Sequence, residues 1–512
     1  MPAINVAHLP RQASPYKPSA IQAQRRTHSL AQPAPRLSLP DANQAVHRAE
    51  YAVRGLIPTK AEQLREQLAA HPDSLPFSSI INANIGNPQQ LKQPPLTFYR
   101  QVLACMQDPH LIDAGIYPED VCARAKRLLE NVGSVGAYSH SQGSSAVRQS
   151  VANFISHRDG GHGDANNIFL TTGASDAVKN IFDVLLRGRQ DGVLIPIPQY
   201  PLYTAAIALK QATPLPYYLN EEASWSTDPQ EIEQVVQQSR NFGITPKILV
   251  VINPGNPTGA ILSRDAIRGI LTVAAKEGLV VIADEVYQEN VFVGEFHSFK
   301  SVLNELQQGP RGAFFDNVQL CSLHSTSKGV SGECGQRGGY MELVGFSPEL
   351  KALFTKLASI SLCPVVTGQV LIELMVNPPK EGDASYEQDQ KERAAIHASY
   401  KNKAEKLYDE FKLLKNIEVQ KPQGAMYLFP KIIFTDSAKA AAAEAELKPD
   451  EFYCLRLLEN TGICVVPGSG FGQKEGTFHV RTTFLPPGDE WIKSWARFHE
   501  EFFTKYSDGK QF

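Results

Sequence analysis

Lys247-Ile248-Leu249-Val250-Val251-Ile252, then Asn253-Pro254-Gly255-Asn256-Pro257-Thr258-Gly259, and further on Leu279-Val280-Val281-Ile282-Ala283-Asp284, are the residues whose reading decides the fold. Both apolar runs lack alternation, which predicts strands buried on both faces. Between them Ile267, Ile270, Leu271 and Ala274 recur at helical spacing, with Ser263 placed as an N-cap and Gly278 as the stop. Strand, helix, strand is a parallel crossover unit, and it brings Asn256 and Asp284 to the same edge of one sheet. Two Asn-Pro pairs and two glycines in 253–259 make a stiff turn that can hold the Asn256 amide in a fixed direction. An ordinary strand-to-helix connection would use the same residues.

Working outward, further apolar runs near Ile168, Val193, Pro214 to Leu219, Val318 and Gly339 to Val344 bring the expected strands to seven. The fold class is therefore α/β: a three-layer α/β/α domain with a seven-stranded, mostly parallel sheet, over residues 106–388. The charged helical stretch Ser385 to Leu414 opens a C-terminal part, 389–512, which is expected to join residues 45–105 in a smaller α/β domain. Residues 1–44 are set apart as an extension. The alanine and glutamate run Ala438 to Leu447 reads as a solvated helix.

Chemistry enters at Ser325-Thr326-Ser327-Lys328-Gly329, with Arg337 nine residues after the lysine in a run containing Gly332, Gly335, Gly338 and Gly339. A lysine among hydroxyls and glycines just past a strand is most often a solvated loop residue. It is also where a primary amine can condense with an aldehyde to a Schiff base, while Ser325, Ser327 and Arg337 donate to a phosphate on the same molecule. Pyridoxal 5'-phosphate has both handles. It also demands a carboxylate at its ring nitrogen, donors to its phenolic oxygen, an anion site and something flat over the ring. Asp284 is the carboxylate candidate, Tyr287 and Asn256 the donors. Thr171-Thr172-Gly173-Ala174-Ser175-Asp176 opens a helix whose free N–H groups and Ser175 hydroxyl suit a phosphate. Tyr200, held among Pro196, Pro198 and Pro201, is the candidate ring cover. Each motif alone has a bland structural reading.

Together they resemble the fold type I pyridoxal-phosphate-dependent aminotransferases. The segments Tyr51-Ala52-Val53-Arg54-Gly55, Ile80 to Gln90, Phe98 to Leu103 and Gly332 to Tyr340 are similar to the alanine aminotransferases, from about Tyr51 to the C-terminus. This resemblance implies Lys328 as the Schiff-base lysine, Asp284 at the pyridine nitrogen, Asn256 and Tyr287 at the phenolic oxygen and Tyr200 over the ring. It implies Ala174, Ser175, Ser325 and Arg337 as the phosphate cradle. Arg481 is implied as the clamp on the substrate carboxylate, with Gly86 and Asn256 beside it. Tyr138 is implied to reach the neighbouring subunit's phosphate, hence a homodimer. The interval from Lys328 to Arg337 is one residue longer than is usual in the wider superfamily and matches the alanine aminotransferase branch.

The implied reaction is reversible, ping-pong transfer of the amino group of L-alanine to 2-oxoglutarate, giving pyruvate and L-glutamate. Lys328 would serve as proton shuttle, Arg481 would orient the carboxylate, and Asp284 would keep the ring able to accept electrons. With Lys328 in the larger domain and Arg481 in the smaller, substrate binding is expected to close the cleft. No second basic residue can be assigned to the glutamate side chain. Two alternatives share the scaffold: a pyridoxal-phosphate enzyme for another amino acid, or a lyase, since the cofactor loops are also similar to aminocyclopropane carboxylate synthase. A noncatalytic regulator would need a DNA-binding domain, for which the N-terminus is too short and proline-broken.

Composition narrows the class. A net charge of −3 over 512 residues gives no electrostatic case for nucleic acid or anionic membrane, and no apolar run is long enough for a membrane span. The cysteines, Cys105, Cys122, Cys321, Cys334, Cys363, Cys454 and Cys464, are odd in number and form no C-x-x-C pair, which suits reduced intracellular thiols and argues against a metal site. The first 40 residues contain no Asp or Glu, with Arg11, Lys17, Arg25, Arg26 and Arg36 among Ser, Ala and Gln. That pattern fits a mitochondrial transit peptide, while seven prolines oppose the helix such a signal needs. The segment is expected to be disordered, and the location mitochondrial or cytoplasmic.

Overall fold

The structure, a computed structural model, describes residues 36–51 and 55–508. Arg11, Lys17, Arg25 and Arg26, with the expected disorder of the N-terminal segment, lie outside the described residues, as do Ala52 to Arg54. The chain divides after Gln44 into Met1–Gln44 and Ala45–Phe512. The described part of the first unit holds one 3-10 turn, Leu39–Asp41, in which Ser38 and Asp41 cap each other.

In the second unit all seven expected strands form one sheet. They are β1 (Ile168–Thr171), β2 (Asp191–Ile197), β3 (Thr213–Tyr218), β4 (Thr245–Ile252), β5 (Val280–Asp284), β6 (Gln319–Ser325) and β7 (Gly339–Val344). Their spatial order is β1-β7-β6-β5-β4-β2-β3. Neighbours run parallel except around β7, which is antiparallel to both β1 and β6. The absence of alternation has the expected cause. Leu249, Val251, Val281 and Ala283 pack into one core, while Ile248, Val250, Val280 and Ile282 pack into another on the opposite face.

Helices cover both faces. Helix α1 (Ala174–Leu185) contributes Val178, Ile181 and Phe182 to the second core, and α2 (Arg264–Glu277) contributes Ile267, Ile270 and Leu271 to the first. Helix α2 begins and ends as its sequence dictates: Ser263 Oγ accepts from the Ala266 N–H, and Gly278 takes the left-handed conformation at φ +70°. The crossover from β4 through α2 to β5 is in register, with Ile252 opposite Asp284.

The C-terminal part begins with the long helix α3 (Tyr386–Phe411) and carries a three-stranded antiparallel sheet. Its strands are β8 (Tyr427–Leu428), β9 (Val466–Pro467) and β10 (Val480–Thr483), with β10 central. Residues near 80 join it. Ile81–Asn82 pair in parallel with Ile463–Cys464, and the Ala83 carbonyl accepts from the Thr483 N–H at 2.8 Å. One apolar core runs continuously from helix Thr97–Gln107 through Val370 and Tyr400 to Trp495. One expectation needs correcting. The alanine-rich stretch is a helix, Asp436–Glu444, but Ala438 and Ala442 are buried in that core, because alanine's small side chain lets the helix backbone approach closely.

Candidate active site

The strands deliver their chemistry at one edge. Asp284 ends β5, Ser325 ends β6, and Thr171 ends β1 just before α1. Strand β7 runs the other way, so its first residue, Gly339, pairs with both Ser325 and Thr171 and brings Arg337 to the same edge. Above this edge lies a cavity of about 340 Å³. Lys328, Asp284, Tyr287, Asn256, Tyr200 and Arg481 line it. So do Ala174, Ser175, Ser325, Ser327, Arg337 and Gly86. Of the residues singled out from sequence, Tyr138 alone is absent from this lining; it is 77% exposed.

Lys328 Nζ donates to the Gly86 carbonyl at 2.9 Å and stands 5.6 Å from the centre of the Tyr287 ring. A Cβ at Gly86 would come within 2.5 Å of Tyr427 Oη, so a side chain there would displace the Tyr427 hydroxyl, and it would touch Lys328 Nζ at 3.5 Å. Asp284 is buried. Its Oδ2 accepts from Tyr203 Oη at 2.7 Å, while Oδ1 has no partner among the described residues. Burial pushes this carboxyl above its ordinary range, and the Tyr203 hydroxyl, the Val286 N–H and the Lys328 charge pull it back. A protonated ring nitrogen at Oδ1 would complete the compensation.

The anion end is equally open. Helix α1 starts at Gly173 without a side-chain cap, and the N–H groups of Ala174 and Ser175 have no acceptor among the described residues. Arg337 is anchored beside them by the carbonyls of Cys334 (2.9 Å) and Thr172 (3.2 Å). A side chain at Gly173, whose φ is +81°, would strike the Arg337 guanidinium. Ser325 Oγ lies 2.9 Å from the Gly338 carbonyl and 3.1 Å from Ser327 Oγ, so part of its bonding capacity is used internally.

Arg481, on β10, is only 1% exposed. It has no acidic partner among the described residues and is clasped between the rings of Tyr427 and Phe471, at 4.3 and 4.5 Å from its guanidinium carbon. Its Nη1 donates to Asn256 Oδ1 at 3.2 Å and its Nη2 to the Asn84 carbonyl. Because Arg481 engages the oxygen of Asn256, the amide nitrogen of Asn256 is left as the donor end. A buried guanidinium without a counter-ion is costly unless an anion arrives. Across the whole lining, three cations, Lys328, Arg337 and Arg481, face one carboxylate, Asp284. That surplus suits a phosphate dianion and a carboxylate together. The residues therefore fit pyridoxal phosphate: an amine for its aldehyde, an unpartnered carboxylate oxygen for its ring nitrogen, and a helix start with an arginine for its phosphate.

Two residues escaped the sequence reading. Tyr203, one turn after Tyr200, holds Asp284; Tyr427 stands against Gly86, Tyr287 and Arg481. The signal for Tyr427 was the run Gln423-Gly424-Ala425-Met426-Tyr427, a glycine turn leading to an aromatic residue. Tyr51 also reaches the site, its hydroxyl 2.6 Å from that of Tyr200. No group of residues able to hold a metal occurs among the described residues, and all seven cysteines are free.

The family described as aminotransferase class I and II matches residues 110–490. The chain is 60% identical to the mitochondrial alanine aminotransferase of Saccharomyces cerevisiae, over 93% of this chain and 82% of that protein. It is also 55% identical to a second Saccharomyces cerevisiae protein, named an inactive alanine aminotransferase, over 93% of this chain and 96% of that one. Among solved structures, the alanine aminotransferase of Pyrococcus furiosus superposes with a TM-score of 0.70 at 25% identity, covering 90% of this chain and 100% of that one. The chain belongs to the alanine aminotransferases, within the class I and II aminotransferase family.

Proposed function

We propose that this protein catalyses reversible transamination between L-alanine and 2-oxoglutarate, yielding pyruvate and L-glutamate, with pyridoxal phosphate held through Lys328. The observation that carries the reading is the convergence of three cations without acidic partners among the described residues and one half-satisfied carboxylate on a single cavity. Because one similar protein is named inactive, the reading rests on these side chains and not on kinship alone.

The cofactor, when bound, supplies an electron sink for the pair released at the substrate's α carbon. The rest is the work of the chain. Arg481 receives the substrate carboxylate in a bidentate grip and fixes which bond at the α carbon faces Lys328. The Lys328 amine takes the proton of that bond and, in the reverse direction, returns it to the α carbon. Asp284 holds the negative charge that keeps a ring nitrogen protonated, and Tyr203 keeps its carboxylate oriented. Tyr287 and the Asn256 amide donate to the phenolic oxygen. Ala174, Ser175, Ser325, Ser327 and Arg337 retain the phosphate, and Tyr200 covers the ring. Both substrates use Arg481 in turn, so initial-rate plots are expected to be parallel.

We read the working unit as a homodimer in which Tyr138, exposed in its own chain, completes the partner's phosphate site. We also read residues 106–388 as the larger body, and 45–105 with 389–512 as the smaller. The protein is assigned to mitochondria or cytoplasm. The mitochondrial name of one relative and the acid-free first 40 residues support import. No helix among the described residues is long and apolar enough to cross a membrane.

The test is the absorbance spectrum of the protein with pyridoxal phosphate. A visible band that L-alanine converts to a near-ultraviolet one with release of pyruvate, reversed by 2-oxoglutarate, is the expected result. A band indifferent to alanine would move the substrate elsewhere, and no band would remove Lys328 as the anchor.

A further inference from the structure

We infer that Tyr427 is a positioning residue of this site: its hydroxyl directs the proton of Tyr287, and its ring seats the guanidinium of Arg481. This rests on the reading of the cavity given above.

Tyr287 and Tyr427 are both buried, with their hydroxyl oxygens 3.2 Å apart and their rings edge to face at 6.0 Å. In this structure Tyr287 donates to Tyr427. A phenol has one proton, so Tyr287 cannot also donate to a phenolic oxygen in the cavity unless that bond turns round. Tyr427 is the group that can then donate to Tyr287, leaving the Tyr287 proton for the cofactor. Charge favours this order. Burial would raise both hydroxyls, and it does so for Tyr287; at Tyr427 burial is opposed by the Lys328 and Arg481 charges together with bonds from Tyr287 and the Gly86 backbone, which bring the hydroxyl below its ordinary value. Arg481, 4.3 Å from the centre of the Tyr427 ring, polarises that hydroxyl toward donation.

The ring has a separate task. Arg481 lies over its face at 4.3 Å, a contact that holds a guanidinium without neutralising it. A carboxylate partner would hold Arg481 as firmly, but would compete with the substrate. The strand supplies the placement: Tyr427 on β8 is paired with Thr483 on β10, two residues from Arg481.

Two substitutions separate hydroxyl from ring. Tyr427→Phe keeps the seat and removes the proton donor. With pyridoxal phosphate bound, the pH midpoint of the visible band is expected to move up by roughly half a unit to one unit, since a weaker donor at an anionic oxygen favours the protonated chromophore. KM for L-alanine should stay within about threefold of wild type, as the cation–ring contact is kept. Tyr427→Leu removes the seat as well, and KM should rise on the order of tenfold. A Tyr427→Phe protein that titrates like wild type would overturn the proton role. A Tyr427→Leu protein with unchanged KM would overturn the seat, and if it does not fold, an altered KM in Tyr427→Phe would count against the seat instead. Failure of the proposed function looks different: there the wild-type protein itself forms no band, or none that alanine changes.

Discussion

Asp284 and Glu285 are neighbours in the chain, both carboxylates and both buried, yet they belong to different worlds. Asp284 is 7% exposed, lines the cavity and has one oxygen without a partner among the described residues. Glu285 is 1% exposed and turns away from it, accepting the Phe299 N–H at 2.8 Å beneath the Arg158 charge. Arg158 is already engaged by Asp159 through two bonds of 2.7 Å, and Lys300 by Glu342. On that side the cations Arg158 and Lys300 have acidic partners, and Glu285, whose Oε2 also lacks a partner among the described residues, is the unpaired group; on the cavity side it is the cations that are unpaired. Burial pushes the Glu285 carboxyl up to about 8, and nothing entering the cavity is there to bring it down. The ligand site is marked by cations left without acidic partners among the described residues, the structural side by cations already paired.

The contrast can be broken from either side. Lys328→Ala on the cavity side should cost on the order of 10⁴-fold or more in transamination, because it removes both anchor and proton carrier. The apoprotein should unfold at the wild-type temperature, and near-normal turnover would end the assignment. Arg158→Met on the other side should do the reverse. It leaves Asp159 buried without its partner and should lower stability by about 3–5 kcal/mol, read by denaturant unfolding of the apoprotein. Asp284→Asn should reduce kcat by on the order of 10²–10³-fold while denaturation changes little, since the amide keeps the Tyr203 bond but cannot hold a neighbouring nitrogen protonated.

The finest test is pH. A Glu285 carboxyl raised to about 8 from its ordinary 4.5 keeps its proton in the folded chain after the unfolded chain has lost it. Its stabilisation is complete below pH 4.5 and is lost as pH rises to about 8, with a slope near 1.4 kcal/mol per pH unit. His324, lowered to about 3 by burial first and then by Arg158, acts oppositely, but only below its ordinary 6.5. Between pH 6.5 and 8, therefore, Glu285→Gln should show a shallower decline than wild type in urea unfolding. Equal slopes would mean that Glu285 is ionised.

The sheet was legible because buried parallel strands must be apolar on both faces, and the runs at Ile248 and Val280 say so directly. Ser263 and Gly278 marked α2 by local chemistry that does not depend on the rest of the fold. Lys328, Asp284 and Asn256 were legible as strand-end residues with functional groups. Tyr427 and Tyr203 were not, since an aromatic residue near a turn carries no sign of which hydroxyl it will meet; Tyr427 finds Tyr287 only through pairing between distant segments. The buried face of Asp436–Glu444 was missed because alanine reads the same in core and in water. Asp284 was legible as the end of a run of apolar residues; Glu285 was not, because its state is set by burial and by Arg158, far away in sequence.

The reversed strand β7 has a consequence for the order in which the site assembles. Strands β6 and β7 are a local hairpin, with Ser325 opposite Gly339, so Lys328 and Arg337 are brought together by closing a short loop. Strand β1 pairs with the same β7 only after the chain from Thr171 to Gly339 has been spanned. Loop closure grows more costly with length, and distant pairings form more slowly. During folding, the lysine and the arginine should be neighbours before the helix start at Ala174 docks against them, and the Arg481 clamp, whose partners Asn256 and Asn84 lie 225 and 397 residues away, should come later still.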